Sequence, residues 1–214
     1  MTDYKTLEKQ LRECIKAENN IISVMANASA LIKKYVAALN WVGFYILDKE
    51  GLYPGPFQGD GFAERVSSAK GVCGLAASKN EPQCALNVRD FPGYINAREE
   101  TDSELAIPMH FSGSVVAVLN VESPVRNRFA MEDRDCLRHL VTIIEKGADF
   151  TPIAGVAPKP AAPQPAKQSP SMPFELWLYA IKQLAQTYEM VEPIYAQLSD
   201  AEKEALRKEY EATA

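Results

Sequence analysis

The sequence predicts an α+β domain, a proline-rich tether and a helical tail. Three observations carry this reading. Apolar residues recur at helical spacing at both ends of the first 150 residues. Short strand-like runs rich in Val, Ile and aromatics fill the middle. The composition then changes abruptly at residue 151, where 151–172 (TPIAGVAPKPAAPQPAKQSPSM) holds six of the fourteen prolines.

The elements follow in order. Tyr4, Leu7, Leu11, Cys14 and Ile15 form one amphipathic stripe. Ile21, Ile22, Met25, Ala28, Leu31, Ile32 and Tyr35 form a second, and both predict helices with an inward apolar face. Strands are expected at Trp41–Leu47, Leu52–Phe57 and near Phe62–Val66. A short helix should follow Gly71, and a short strand should lie near Ala85–Val88. Strands at Glu104–His110 and Val115–Val121 and a closing helix over 131–145, with Leu137, Leu140, Val141 and Ile144 on one face, complete the domain. The order ααβββαβββα belongs to the α+β class.

The segment 151–172 lacks the backbone donors and apolar area needed to pack, so an extended tether is expected. Helical periodicity returns with Phe174, Trp177, Leu178, Ile181, Leu184, Ala185 and Tyr188, between Pro173 and Pro193. This face is rich in residues that anchor interfaces. Residues 173–214 are therefore candidates for docking a protein partner through Phe174, Trp177, Leu178, Ile181, Leu184 and Tyr188, or for packing on their own domain. Ser199 with Glu202 predicts a capping box that opens a further short helix.

Composition narrows the function. The net charge is −5 and the basic residues are scattered among acids, so no nucleic-acid partner is expected. No apolar run approaches a membrane span, and the tail has too few basic residues for a membrane-surface helix. The charged N-terminus has no apolar secretory core, and four cysteines without CxxC spacing (Cys14, Cys73, Cys84, Cys136) read as reduced thiols. A reducing compartment, the cytoplasm, is expected. Two histidines and no clustered ligands point to no metal and no cofactor. Cys14 and Cys136 fall on helix stripes as core residues, His139 reads as helix surface, and His110 ends a strand.

Six short motifs carry more. They are Asn40–Tyr45 (NWVGFY), Gly55–Gly59 (GPFQG), Gly71–Gly74 (GVCG), Asp90–Ile95 (DFPGYI), Ser103-Glu104 and Gly113–Ser123 (GSVVAVLNVES). Together they resemble the free methionine-(R)-sulfoxide reductases, small GAF-domain enzymes, over roughly residues 1–147. The resemblance implies a GAF fold, which often dimerises, and a pocket built from an aromatic wall, carboxylates and three cysteines. It places the pocket at Trp41, Tyr45, Cys73, Glu104, Asn120 and Glu122, where an amino-acid-like or other small cationic ligand would suit the aromatic faces and acids. Such catalysis needs a thiolate to attack sulfur and a second thiol to resolve the sulfenic acid. The nucleophile position falls on Ala97 and a second cysteine position on Ala63. A methyl group cannot form the sulfenic intermediate.

The resemblance thus implies a catalytically disabled relative reused as a scaffold or assembly subunit. Two alternatives stay open: a small-molecule sensor, and a reductase with rearranged cysteines such as Cys73 with Cys84. Cys73 itself reads either as a redox thiol, with a pKa lowered by the helix that follows Gly71, or as a small buried residue.

Overall fold

A computed structural model describes residues 2–59, 61, 63–95, 98–154, 198–199 and 202–204. The tether from 155 onward, the expected helix with Phe174, Trp177, Leu178, Ile181, Leu184 and Tyr188, and Ala97 lie outside the described residues. The chain divides into two units, and the first, Met1–Lys159, holds the sheet and the helices that cover it.

Two helices open this unit. α1 (Tyr4–Ala17) is capped by Asp3, which accepts from the Thr6 N–H at 3.0 Å, and buries Leu7, Leu11 and Ile15. α2 (Ile21–Tyr35) is capped by Asn20, which accepts from the Ile22 N–H at 3.0 Å. These side chains satisfy N–H groups that the first helical turn leaves without partners. Then come β1 (Trp41–Asp48), β2 (Gly51–Gly59), α3 (Gly71–Lys79), β3 (Gln83–Ala85), a 3-10 turn at Val88–Asp90, β4 (Ser103–Phe111), β5 (Ser114–Ser123), α4 (Met131–Gly147) and the single turn α5 (Thr151–Ala154).

The strands form one antiparallel sheet in the order β2-β1-β5-β4-β3. Because side chains alternate along a strand, the sheet feeds two cores. Val42, Phe44, Ile46, Leu105, Ile107, Leu119 and Val121 face a large core shared with α1, α2 and α4. Trp41, Tyr45, Ala85, Ala106 and Val118 face a smaller core shared with α3. The candidate site belongs to this second face. Asp133 locks the first: it accepts from the Tyr4 hydroxyl at 2.7 Å, Arg128 at 2.8 Å and the Ala130 N–H at 3.1 Å, which joins α1 to the start of α4.

Several expectations change. No strand forms over 62–66 among the described residues; Val66 alone bridges to Leu52. The chain leaves the sheet there to reach α3, which packs so closely that a Cβ on Gly74 would lie 2.3 Å from the Ser67 carbonyl oxygen. The strand expected near Ala85–Val88 ends at Ala85, because Asn87 accepts from the Arg89 N–H and starts the 3-10 turn. Ile22 is exposed although it sits in the apolar stripe, and Cys14 and Cys136 are half-buried rather than core. Thr151–Ala154, the expected start of the tether, form α5, with Ile153 buried and the neighbouring Phe150 stacked on Phe111. In the second unit, Ser199 and Glu202 make the expected reciprocal cap. The Ser199 N–H donates to the Glu202 carboxylate at 2.8 Å, and the Glu202 N–H donates to the Ser199 hydroxyl at 3.4 Å.

Candidate functional site

Register places the site. Trp41 pairs with Glu122, Glu122 with Glu104, and Glu104 with Ala85, so one row of residues crosses β1, β5, β4 and β3. Two residues along, Gly43 pairs with Asn120. Alternation then turns Trp41, Tyr45, Glu104, Asn120 and Glu122 to the same face, where α3 brings Cys73 over them. All six sequence-derived pocket residues come together and all are buried.

Gly43 makes room for the aromatic wall. A Cβ there would lie 2.8 Å from Trp41 Cη2 and 2.3 Å from Phe57 Cβ. Without it, the Trp41 ring stacks on Phe57 at 5.4 Å between centroids and meets Tyr45 at 5.7 Å. Gly71, at φ +68°, enters the left-handed region as α3 begins, and it lines the pocket with Lys70, Val72 and Cys73. Tyr45, Val66, Ile95, Glu104, Asn120 and Glu122 form the remaining walls.

The two carboxyls are inequivalent. Glu122 accepts from Arg98 at 2.7 Å, from the Thr101 hydroxyl at 2.7 Å and from the Asn120 amide at 3.2 Å. Asn40 in turn donates to the Thr101 hydroxyl at 2.9 Å. Glu104 accepts from the Cys73 Sγ–H at 3.6 Å, a weaker donor. Burial raises the pKa of both, but Arg98, Thr101 and Asn120 oppose the rise at Glu122. At Glu104 burial and the neighbouring Glu122 push the pKa well above the usual carboxylate range. Of the two, Glu104 is the carboxyl whose protonated form is the more favoured.

Cys73 does not have the lowered pKa that its place in α3 suggested. Burial, then the charges of Glu104 and Glu122, hold the thiol well above its ordinary value, and these outweigh a helix N-terminus. It is a buried, protonated thiol. Cys84 does not face it. Cys84 pairs with Leu105 and packs on the large core, on the opposite side of the sheet. Ala63 packs against the smaller core.

Arg98 and Thr101 were not among the sequence-derived residues. Arg98 is only 8% exposed, and its guanidinium carbon lies 4.4 Å from the centre of the Trp41 ring. It follows position 97 within an Arg-Glu-Glu run that looks solvated. Neither it nor Thr101 belongs to an apolar period, so pattern reading passes over both. His110 does not line the pocket; it contacts Glu145 at 2.8 Å and Asn80. No group of three or more potential metal ligands occurs among the described residues. No helix among them is long and apolar enough to cross a membrane.

A five-stranded antiparallel sheet between helices, with a pocket on the face under α3, defines a class of domain, and the GAF domain model matches residues 24–146. The chain belongs to the GAF domain family, in the branch that includes the free methionine-R-sulfoxide reductases. It is 34% identical over 143 residues to the free methionine-R-sulfoxide reductase of Escherichia coli, covering 67% of this chain and 87% of that one. It is 37% identical over 146 residues to protein YtsP of Bacillus subtilis, covering 67% and 90%. Among solved structures it is similar to the fRMsr of Staphylococcus aureus in its reduced form, with a TM-score of 0.67 and 35% identity over 70% of this chain and 97% of the other.

Proposed function

We propose that this protein is a catalytically inactive relative of the free methionine-R-sulfoxide reductases that works as a scaffold or assembly subunit. The observation that carries the reading is the state of the pocket thiol. Reduction of a sulfoxide requires a thiolate nucleophile and a second thiol, with two thiols becoming a disulfide as the sulfoxide oxygen leaves as water. Cys73 is buried and protonated against Glu104, and alanine stands at positions 63 and 97. Cys84, on the far face of the sheet, supports no resolving pair with Cys73.

The docking element in this proposal is the tail, through Phe174, Trp177, Leu178, Ile181, Leu184 and Tyr188, with the GAF domain as the rigid body and a homodimer as its expected form. The partner is a protein, and the setting is the reducing cytoplasm. Co-purification from the native cell tests it, using the tagged full chain beside one ending at Ala154, which keeps the buried Ile153. A stoichiometric partner lost with the tail is the expected result. Equal recovery with both forms, or thioredoxin-coupled turnover of free methionine-(R)-sulfoxide that Cys73→Ser abolishes, would overturn it.

A second reading, a small-molecule sensor, is favoured by one observation. Asn120 Oδ1 and Trp41 Nε1 are buried without a hydrogen-bond partner among the described residues. An orphaned acceptor on the pocket wall is costly unless something completes it. The sensor predicts a thermal shift with a small metabolite that Glu104→Ala weakens.

A further inference from the structure

A pocket that recognises a small cation needs an aromatic face and a carboxylate within reach of one point. Trp41 and Glu122 meet that description. They are paired across β1 and β5, and both are almost fully buried. The point between them is already filled. The Arg98 guanidinium carbon sits 4.4 Å from the Trp41 ring centre, and its Nη1 donates to Glu122 Oε1 at 2.7 Å. The remaining acceptor positions of Glu122 are largely used as well, by the Thr101 hydroxyl at 2.7 Å and the Asn120 amide at 3.2 Å.

We infer that Arg98 is the resident ligand of this pocket: its guanidinium occupies the cation subsite formed by Trp41 and Glu122 and excludes the ammonium group of a free amino acid or any other small cation. The chain thus supplies from within the charge that an external ligand would otherwise bring. An incoming cation must first displace a group that is tethered to the domain and present at high effective concentration. The other carboxyl, Glu104, is buried and faces the Cys73 thiol at 3.6 Å. Lys70 at the pocket wall adds a second positive charge. Neither the tail's partner nor the reactivity of the thiols bears on this occupancy.

The test is chemical complementation in the full chain. Methylguanidinium, at ionic strength matched with sodium chloride, is titrated into wild type, Arg98→Ala and Arg98→Lys, with binding read by calorimetry and by melting temperature. Arg98→Ala should bind methylguanidinium at least about tenfold more tightly than wild type and melt higher with it. Arg98→Lys keeps an internal cation and should resemble wild type. Equal responses of wild type and Arg98→Ala would overturn the inference. Should Arg98→Ala fail to fold, wild type alone decides. NMR of its arginine side chains should show one guanidinium with slow proton exchange and an upfield ring-current shift. Arginine signals that are all solvent-averaged would overturn the inference equally.

Discussion

Replacing Glu122 with glutamine keeps the shape of the side chain and, with its oxygen turned to Arg98 and its amide NH2 to the Thr101 hydroxyl, one acceptor for the guanidinium, but removes the negative charge. The guanidinium stays where it is, 8% exposed and over Trp41. Its escape would break the contacts that fill the pocket. A buried charge left without its partner costs about 3–5 kcal/mol. The glutamine oxygen still accepts one hydrogen bond, so the lower end, about 3 kcal/mol, is expected. For a domain of this size that is a fall of about 6–12 °C in melting temperature. Urea denaturation at pH 7 reads it as a lower midpoint at unchanged slope. Combining Glu122→Gln with Arg98→Met removes the orphaned charge, so the double variant should recover most of the loss. A Glu122→Gln protein within about 1 kcal/mol of wild type would refute the view that this pair is closed from water and energetically coupled.

Glu104→Gln should behave differently. Burial raises the folded-state pKa of Glu104 above its unfolded value of about 4.5. The folded chain therefore holds a proton that the unfolded chain releases first, so this contribution to stability is fully present below that value and is lost as pH rises through the folded pKa. Glu104→Gln should flatten this fall, measured as the difference in urea midpoint between about pH 4.5 and pH 8; an unchanged pH profile would contradict it. Gly43→Ala should destabilise by about 1–3 kcal/mol and weaken the Trp41–Phe57 stack, because the new methyl meets backbone and ring at 2.8 Å; near-UV circular dichroism and melting read both effects. In native alkylation with iodoacetamide, Cys73 should react last of the four cysteines and only on unfolding, since it is the buried one while Cys14, Cys84 and Cys136 are half-buried. Mass spectrometry after timed quenching checks the order.

Much of this was legible in the sequence, and the reasons are physical. The residues Trp41, Glu122 and Glu104 were legible only through the resemblance to the reductase family; the register then sets them in one row, and the period of two along each strand turns them to one face. The helices α1, α2 and α4 announce themselves by apolar residues three and four apart. Arg98 was hidden because its partners Glu122 and Trp41 are distant in the chain, and its local context is charged. The pKa of Cys73 was hidden for a related reason. A helix start is a local feature that lowers a thiol pKa, but burial and two carboxyls from β4 and β5 are tertiary and act the other way. The segment 62–66 looked like a strand by composition, yet among its described residues only Val66 finds a pairing partner, because the chain departs for α3.

The proposal that the pocket no longer reduces sulfoxide can be tested without an external reductant. Fully reduced protein is mixed with one equivalent of free methionine-(R)-sulfoxide, and both thiols and product are counted by mass spectrometry. Reduction of one sulfoxide must consume two thiols and yield one methionine, one disulfide and one water. A disabled pocket leaves all four thiols intact and forms no methionine. Loss of two thiols, Cys73 among them, with an equivalent of methionine would show instead that the pocket still reduces sulfoxide.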